Sequence, residues 1–483
     1  MLRGYPLGVS QSPLPLVVGF DLDMTLIDTV PGATAVFEAL SAELGVDLPA
    51  ADLTSRLGPP LDQLLAPYVA PDAMPMAVDR FRDLYPGLSI ASVPALDGAV
   101  EALAAVRAHG GRTIVVTGKF AANAQLHLDH LGLDVDLLEG TVWGVGKGDV
   151  LRREGASVYV GDHVHDVEGA LAAGAVSVSV LTGGCTREEL LDAGTHVVLG
   201  SLEEFPAWLD EHLLTTRLAA LEADLRERGS VLVAYSGGAD SAFLLAAATR
   251  ALGPDSVVAA TGYSHSLPQA ERDPAADFAR DLGVALLTPE THEMDREGYR
   301  ANGPDRCFFC KAELLDTLVP LARERGLAHV ATGTNADDAV AGFRPGIRAA
   351  AERGAIAPLR DAGLTKSQVR EASRRWGLPT WDKPAAACLS SRVAYGVEVT
   401  PSRLARIERA ETGVRALLAA HGLRDLRVRD RGELASVEID RELLPLDAGL
   451  EADVLAAVRT AGFAAAEVSP QGFRSGSMND ALR

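Results

Sequence analysis

Residues 17–29 read VVGFDLDMTLIDT, an apolar run followed directly by two aspartates, Asp21 and Asp23. A short apolar run that ends in polar residues is typical of a buried strand in a parallel sheet. Side chains two residues apart on an extended backbone point to the same side. In-line phosphoryl transfer needs an oxygen nucleophile and a proton donor, and this pair offers both. The stretch therefore predicts an α/β domain with a phosphoryl-transfer site at a strand end.

Four more polar residues of this half lie after apolar runs or in glycine-rich stretches. Thr117 ends the run TIVVT, Lys147 lies in VGKG, and Asp162 and Asp166 lie in VGDHVHD. Because the carboxyl ends of parallel strands meet at one crevice, we expect these side chains to gather beside Asp21, together with a metal that offsets negative charge. The pattern predicts the following strands: Val17–Phe20, Thr113–Val116, Ser157–Val160 and Ser177–Leu181. Between residues 29 and 95 a helical pattern interrupted by prolines predicts a small cap.

These motifs, in this order, resemble the haloacid dehalogenase (HAD) superfamily over about residues 16–200, and in particular its phosphoglycolate-phosphatase-like members with a helical cap. The resemblance implies a Rossmann-like parallel sheet, Asp21 as the nucleophile that forms an aspartyl-phosphate, and Asp23 as general acid and base. The other implied site residues are the phosphoryl-binding Thr117 and Lys147 and, with Asp21, the Mg²⁺ ligands Asp162 and Asp166. The substrate stays open between pyrophosphate and a phosphate monoester.

The second half begins with VLVAYSGGADSAFLL at residues 231–245, an apolar strand, a turn of small residues and a helix. Small residues let the backbone approach phosphate oxygens, and a helix N-terminus adds N–H donors. The turn is not a Walker A loop, because GxxxxGK[ST] is absent. The hexapeptide SGGxDS resembles the PP-loop ATP pyrophosphatases, which adenylate a substrate and release pyrophosphate from ATP in an adenine nucleotide alpha hydrolase-like α/β domain. The implied ATP-binding residues are Ser236, Gly237, Gly238, Asp240 and Ser241.

Further motifs extend this resemblance to residues 228–483. They are SHSLPQAE (264–271), PDRCFFCKAEL (304–314), GTNADD (333–338), FRPG (343–346), APLRDAGLTKSQVR (357–370), GLPTWDKPAAACLSSRVAYG (377–396), RVRDRGELASVEID (427–440) and GFRSGSMND (472–480). Together they resemble LarE, the sulfur transferase of nickel-pincer nucleotide synthesis. The resemblance implies that a carboxylate of a pyridinium mononucleotide is adenylated and becomes a thiocarboxylate. The implied substrate-binding residues are Ser391, Arg392, Glu411, Arg427 and Arg429. The last motif belongs to an oligomer interface or to the site.

Three of the four cysteines lie in this half, as Cys307-x-x-Cys310 and Cys388. The resemblance implies Cys388 as the sulfur-bearing residue of the ACLxSR motif. LarE-type proteins either sacrifice this sulfur and leave dehydroalanine, or use three cysteines to hold a [4Fe-4S] cluster whose free iron carries an extra sulfide. The three-cysteine pattern favours the cluster. Zinc with a fourth ligand, and a pair of buried thiols, are the alternatives.

Composition limits the remaining possibilities. A chain of 483 residues with a formal net charge of -21 is expected to hold two to four domains and to repel nucleic acid. A tRNA thiolase, the rival hypothesis, would call for a basic surface. A regulatory fusion that only senses a phosphorylated ligand is disfavoured by the intact aspartates. We expect a cytoplasmic homo-oligomer that needs Mg²⁺ and ATP, acts on a small nucleotide and contacts no membrane. The predicted parts are a tail at residues 1–15, a HAD domain at 16–212 with its cap at about 30–95, a PP-loop domain at 213–395 and a small α+β domain at 396–483.

Overall fold

A computed structural model describes residues 16–340, 342, 344–384 and 387–474. These residues form two compact units that divide between residues 213 and 214. The predicted N-terminal tail, and residues 475–480 of the predicted interface motif, lie outside the described residues. Among the helices of the described part, none is both long and apolar enough to cross a membrane.

The first unit contains a parallel sheet of six strands: β1 Val17–Phe20, β2 Arg112–Val116, β3 Leu137–Glu139, β4 Val158–Gly161, β5 Val176–Val180 and β6 Val197–Leu199. Their order is β3-β2-β1-β4-β5-β6, and every pairing is parallel. Successive residues of β1 alternate between two hydrophobic clusters, with Val18 in one and Val17 in the other. The sheet is therefore packed on both faces, which explains why its strands read as continuous apolar runs.

The helices of this unit divide into a cap and a flanking set. The cap has its own hydrophobic cluster around Phe37, Leu40 and Leu53, all fully buried. Its helices are α1 Val30–Leu44, α2 Ala50–Ser55, α3 Leu61–Leu65 and α4 Met74–Leu88. The flanking helices are α5 Ala99–Ala108, α6 Ala121–Leu131, α7 Gly146–Glu154, α8 Val164–Ala173 and α9 Arg187–Asp192. Helix α10, Phe205–Arg228, contains the position at which the chain divides into the two units.

The second unit contains two sheets. The larger is parallel, in the order β10-β7-β8-β9, with β7 Val231–Ala234, β8 Val257–Ala260, β9 Ala285–Leu287 and β10 His329–Thr332. Its helices are α11 Ala239–Leu252, α12 Arg272–Asp281, α13 Glu297–Arg300, α14 Arg306–Glu324, α15 Ala336–Val340, α16 Pro345–Glu352, α17 Pro358–Asp361 and α18 Lys366–Arg375. Helix α11 is buried along almost its whole length, as its run of apolar and small residues requires.

The smaller sheet follows residue 396, where the sequence predicts an α+β part. It pairs β11 Leu426–Asp430 antiparallel with β12 Leu434–Ile439, and β12 parallel with β13 Ala465–Val468. Two helices, α19 Pro401–Leu418 and α20 Ala448–Thr460, pack on each other beside it. Short 3₁₀ turns complete the chain at Ile90–Ser92, Leu202–Glu204, Pro254–Ser256, Gln269–Glu271, Glu293–Asp295, Leu389–Arg392, Ala419–His421 and Arg441–Leu443.

Candidate active sites

The first site lies at the carboxyl end of the six-stranded sheet. Asp21 follows β1, and its backbone N–H donates to the carbonyl of Val160 at 2.8 Å, which fixes it against β4. Asp162 follows β4, and Asp166 lies in the first turn of α8. Ligand atoms of the three carboxylates all lie within 4.8 Å of one another, and all three residues are buried. The sequence prediction that these side chains gather at one crevice matches their placement.

Lys147 lies at the centre of this carboxylate group. Its ammonium donates to Asp21 at 2.8 Å, to Asp166 at 2.6 Å and to the Tyr159 hydroxyl at 3.0 Å, and only 1% of the residue is exposed. Burial and the repulsion of neighbouring carboxylates raise the pKa of Asp21 to about 7, against the opposing charge of Lys147. Burial likewise raises the pKa of Asp162 well above its usual value. The three carboxylates carry more negative charge than Lys147 can offset, and carboxylate oxygens are the ligands that Mg²⁺ prefers. The group therefore fits a Mg²⁺ site.

Asp23 faces a second lysine that the sequence did not assign to the site. The Lys119 ammonium donates to Asp23 Oδ1 at 2.6 Å, and the Thr29 hydroxyl donates to the same oxygen. Burial opposes ionisation of Asp23, but these two partners outweigh it and hold its pKa below the usual value. Lys119 is one of only five lysines in the chain. That scarcity, with its position two residues after Thr117, was the signal that could have identified it.

Thr117 directly follows β2 and is buried, and its hydroxyl oxygen accepts from the Lys119 backbone N–H at 3.2 Å. A cavity of ≈ 680 Å³ opens above this group, between the sheet edge and the cap. It is lined by every first-site residue that the sequence predicts: Asp21, Asp23, Thr117, Lys147, Asp162 and Asp166. The arrangement offers one oxygen nucleophile, one adjacent carboxylate and several cations around a space open to a substrate.

The second site is built on the turn between β7 and α11. Gly237 has φ +72°, a backbone conformation that glycine adopts without strain. The Ser241 hydroxyl lies 3.1 Å from that of Ser236 and donates to the Gly238 carbonyl at 3.1 Å, which closes the turn on itself. Gly333 of the GTNADD motif approaches so closely that a Cβ there would lie 2.8 Å from the Ser241 nitrogen. The turn is thus a compact cradle of backbone and hydroxyl groups at a helix N-terminus.

Two lysines of the later motifs hold this turn. Lys366 pairs with the Asp240 carboxylate, whose other oxygen accepts from the Asn335 side-chain amide at 3.3 Å. Lys383 donates to the Gly237 carbonyl at 2.9 Å and to Glu271 at 2.6 Å.

A cavity of ≈ 370 Å³ joins the turn to the cysteine-bearing segments. Its lining includes Ser236, Gly238, Asp240 and Ser241 of the turn, and also Cys310, Lys311, Cys388 and Glu293. Residues more than 140 positions apart in the chain therefore face one space. Cys307 lies one helical turn before Cys310 on α14 and is exposed.

The three thiols of this unit influence one another. Burial, followed by Cys388, Glu293 and Cys307, raises the pKa of Cys310 far above its usual value. Cys307 is exposed as a whole residue, but the protein around its thiol displaces water and raises the pKa of that thiol, against the charge of Arg306. Glu293 is buried and accepts from the Ser266 hydroxyl at 2.7 Å. Sequence reasoning missed Glu293, since a lone glutamate in a loop carries no pattern.

The spacing of the thiols bears on which metal group they suit. Among the described residues, the one trio of candidate ligands with atoms within 4.8 Å is the aspartate group of the first unit. The three sulfur atoms do not form such a close trio. Three thiolates are a donor set that can bind three irons of one cluster or, together with a fourth ligand, a zinc ion.

The predicted substrate-binding residues Ser391, Arg392 and Glu411 support the turn that carries Cys388. Arg392 is buried and pairs with Glu411 at 3.0 Å, and its guanidinium also donates to the Cys388 carbonyl at 2.9 Å. Glu411 accepts from the Val428 backbone at 3.0 Å, and the Ser391 hydroxyl donates to the Cys388 carbonyl at 2.7 Å. In this arrangement Ser391, Arg392 and Glu411 hold the cysteine turn against β11.

Arg427 and Arg429 lie two residues apart on β11, so their side chains point to the same face of the sheet. Arg429 is buried, pairs with Glu438 at 2.9 Å and donates to the Ser391 carbonyl at 3.1 Å. Arg427 lies 5.3 Å from the centre of the Phe473 ring, and burial, helped by Arg392, lowers the pKa of its guanidinium. Arg427 is thus half-buried and Arg429 is buried, so neither side chain is fully exposed to solvent.

Comparison with known proteins follows the same division of the chain. The sequence profile of the haloacid dehalogenase-like hydrolase family matches residues 18–171, and a HAD-hydrolase-like profile matches residues 148–205. The chain is 30% identical over 216 residues to a phosphoglycolate phosphatase of Caulobacter vibrioides, covering 39% of this chain and 88% of the relative. It is 32% identical over 269 residues to the pyridinium-3,5-bisthiocarboxylic acid mononucleotide synthase of Lactiplantibacillus plantarum, covering 56% of this chain and 96% of the relative.

The chain joins a HAD-family hydrolase domain to a LarE-family domain. The uncharacterized protein slr1717 of Synechocystis sp. is 39% identical over 273 residues, covering 56% of this chain and 99% of that protein. The LarE-family part alone therefore accounts for nearly the whole length of these relatives, and the HAD part is an additional domain.

Proposed function

We propose that this protein carries out two reactions. The LarE-family unit adenylates a carboxylate of a pyridinium mononucleotide with ATP and converts it to a thiocarboxylate. The HAD unit is a Mg²⁺-dependent phosphohydrolase. The first statement agrees with the name of the Lactiplantibacillus relative. The observation that carries it is the single cavity in which the phosphate-binding turn and the Cys310 and Cys388 thiols face one another.

The geometry of that cavity suits a two-step reaction. In the first step a substrate carboxylate oxygen attacks the α-phosphorus of ATP, and the bond to pyrophosphate breaks. The Ser236–Ser241 turn, with the N-terminus of α11, would hold the departing pyrophosphate. In the second step a sulfur nucleophile attacks the acyl carbon and AMP leaves with the electron pair. A sulfur source has to lie near the adenylate, and the shared cavity meets that requirement.

The sulfur source in this proposal is a [4Fe-4S] cluster bound by Cys307, Cys310 and Cys388. Such a cluster, when bound, supplies an iron that can carry an extra sulfide. The protein's own contribution is to hold the thiols: helix α14 presents Cys307 and Cys310 one turn apart, and Arg392 ties down the Cys388 turn. The raised pKa of the two α14 thiols fits ligands that ionise only when a cation binds.

In the HAD unit, the Asp21 oxygen would attack phosphorus, and the bond to the departing alcohol would break. Asp23, whose pKa is low while Lys119 contacts it, would deliver a proton to that alcohol once a bound phosphoryl group has drawn Lys119 away. Water then hydrolyses the aspartyl-phosphate, and Asp23 accepts the proton of that water. Asp162 and Asp166, with Asp21, would hold Mg²⁺, which offsets the charge of the phosphoryl group. The hydrogen bond from Lys147 orients Asp21. Lys119 donates to Asp23 in this structure and could donate to a phosphoryl oxygen instead when a substrate binds.

The test of the sulfur-transferase proposal is ATP-dependent release of pyrophosphate by the full chain. We expect release to depend on pyridinium-3,5-biscarboxylic acid mononucleotide and to be unaffected by bulk tRNA. The assay should use the Asp21→Asn chain, so that the first unit cannot consume the product. Release that depends on tRNA and ignores the mononucleotide would support a tRNA thiolase instead. For the HAD unit, hydrolysis of simple phosphate esters should require Mg²⁺ and stop on chelation.

A further inference from the structure

We propose that the HAD unit hydrolyses phosphate monoesters whose leaving group carries a large planar ring that is uncharged or cationic, as in pyridinium and nucleoside 5′-monophosphates. It would discriminate against anionic leaving groups, including the phosphate of pyrophosphate and the carboxylate of phosphoglycolate. This inference rests on the phosphohydrolase activity proposed above. Three features of the cavity carry it: size, aromatic lining and charge.

The cavity is much larger than a phosphoryl group requires. Its volume of ≈ 680 Å³ lies within the range of sites that enclose whole small-molecule ligands. The phosphoryl end is fixed by Asp21 and Thr117 at the sheet edge, so the remaining space lies toward the cap and must take the leaving group. A two-carbon acid or a second phosphate would leave most of that space unfilled.

Aromatic rings line the part that faces the leaving group. On the cap side Phe81 lines the cavity, and the buried rings of Phe37 and Tyr85 support it, with ring centres 5.0 and 5.7 Å from that of Phe81. On the sheet side Phe120 and Trp143 line the cavity, and Phe120 is 41% exposed. The planar guanidinium of Arg82 lies 4.9 Å from the centre of the Phe120 ring, so this ring already holds a planar cation at one face. A planar ring of a substrate could stack on the other face or replace the guanidinium.

The charges of the lining oppose a second anion. Six carboxylates and three cationic side chains line the cavity. Both lysines are already engaged, Lys147 by Asp21 and Asp166 and Lys119 by Asp23. The third cation, Arg82, lies 3.6 Å from Asp79, which offsets its charge.

The cap adds Asp62 to the same lining, at the start of α3. An anionic leaving group would therefore meet the carboxylates of Asp62 and Asp79, while each of the three cations of the lining already has a carboxylate partner. A neutral ring meets no such cost, and a pyridinium ring is attracted.

The experiment compares alkyl phosphate esters that have similar leaving alcohols and different leaving-group charge, with pyrophosphate added as a second anionic compound that has a better leaving group. The full chain with Mg²⁺ is given benzyl phosphate, nicotinamide mononucleotide, AMP, phosphoglycolate and pyrophosphate, and hydrolysis by Asp21→Asn is subtracted. We expect kcat/KM for the three ring-bearing esters to exceed that for the two anionic compounds by at least about tenfold. A preference for nicotinamide mononucleotide over AMP would identify the pyridinium ring as the ligand, and the reverse would identify a nucleobase.

An equal or better kcat/KM for phosphoglycolate or pyrophosphate would overturn the proposal while leaving the phosphohydrolase activity in place. Hydrolysis of none of the five compounds would overturn both.

Two variants test the cause of the selectivity. Asp62→Lys should shift the ratio of kcat/KM values toward phosphoglycolate by about three- to fivefold, since two charge units change in a screened, open site. Asp72→Lys, an exposed cap residue outside the cavity lining, should leave the ratio unchanged. Phe120→Ala should lower kcat/KM for the ring-bearing esters about tenfold and spare phosphoglycolate. The proposal would be contradicted if Asp62→Lys left the ratio of kcat/KM values unchanged, or if Phe120→Ala lowered kcat/KM equally for all substrates.

Discussion

The turn after β1 and the turn after β7 occupy equivalent places in two parallel sheets, yet they carry opposite kinds of side chain. After β1 the chain places Asp21 and Asp23, and more carboxylates arrive from the neighbouring strand end. After β7 it places serines and glycines in a compact turn that lines the second cavity. In the proposed reactions the first turn supplies a nucleophile and needs cations around it. The second turn only holds phosphate groups in that proposal, and the reactive groups come from other segments.

This difference explains how far apart in the sequence the residues of each site lie. The carboxylate site is assembled from strand ends of one sheet, between Asp21 and Asp166. The cradle becomes reactive only beside Cys310 and Cys388, which other segments deliver. The five lysines follow the same division. Lys119 and Lys147 pair with the carboxylates of the first site, and Lys311, Lys366 and Lys383 line or hold the second.

The largest effect should follow from removing the nucleophile of the first site. Asp21→Asn is expected to reduce ester hydrolysis on the order of 10³-fold or more, because the amide cannot form an acyl-phosphate. Release of pyrophosphate from ATP by the second site should remain unchanged, and Asp97→Asn, an exposed control, should affect neither activity. Loss of both activities in Asp21→Asn would contradict the separation of the sites.

A somewhat smaller effect is expected at the cradle. Asp240→Ala removes the partner of Lys366 and an acceptor for Asn335, and should lower mononucleotide-dependent pyrophosphate release on the order of 10²-fold. Ester hydrolysis serves as the internal control, with Asp255→Ala as the matched exposed variant. Unaltered pyrophosphate release would show that the turn does not hold the phosphates of ATP.

The thiols distinguish the two sulfur routes. Anaerobically reconstituted protein should contain iron and sulfide and absorb broadly in the visible region, and Cys307→Ala should lose the cluster together with sulfur transfer. Cys185→Ala, in the other unit, is the matched control. Full transfer by Cys307→Ala, with Cys388 converted to dehydroalanine, would establish the sacrificial route instead.

The smallest effect concerns a positioning residue. Arg392→Lys keeps the charge but loses the two-pronged contact with Glu411 and the bond to the Cys388 carbonyl. We expect sulfur transfer to fall about tenfold while ATP-dependent pyrophosphate release is retained, because the cradle does not touch Arg392. Arg415→Lys on the same helix as Glu411 is the exposed control. An equal fall in both steps would mean that Arg392 acts on the substrate or the adenylate.

Sequence reasoning worked well where the pattern is local. The strand at Val17–Phe20 begins and ends where the apolar run predicts. Strands β3, β6 and β13 were not predicted, because each has only three or four residues, most of them not buried, and no run long enough to show a period.

The site residues divide in the same way. Residues directly after apolar strands were found, because a strand end in a parallel sheet is a place that the sequence itself marks. Lys119 was not assigned, since only the fold brings its ammonium to Asp23, and Glu293 was missed for the same reason. The sequence also did not indicate that Arg392 and Arg429 are buried in ion pairs, because the partners Glu411 and Glu438 come from other elements.

In our proposal, adenylation and sulfur transfer both take place in the cavity between the Ser236–Ser241 turn and the thiols. To test this, the reconstituted full chain is incubated with pyridinium-3,5-biscarboxylic acid mononucleotide, ATP and Mg²⁺, and the nucleotide product is weighed by mass spectrometry. We expect a mass gain of one sulfur-for-oxygen exchange that disappears without ATP and in both Asp240→Ala and Cys388→Ala. An unchanged nucleotide mass in the intact, cluster-loaded protein, or an exchange that persists in Cys388→Ala, would contradict it.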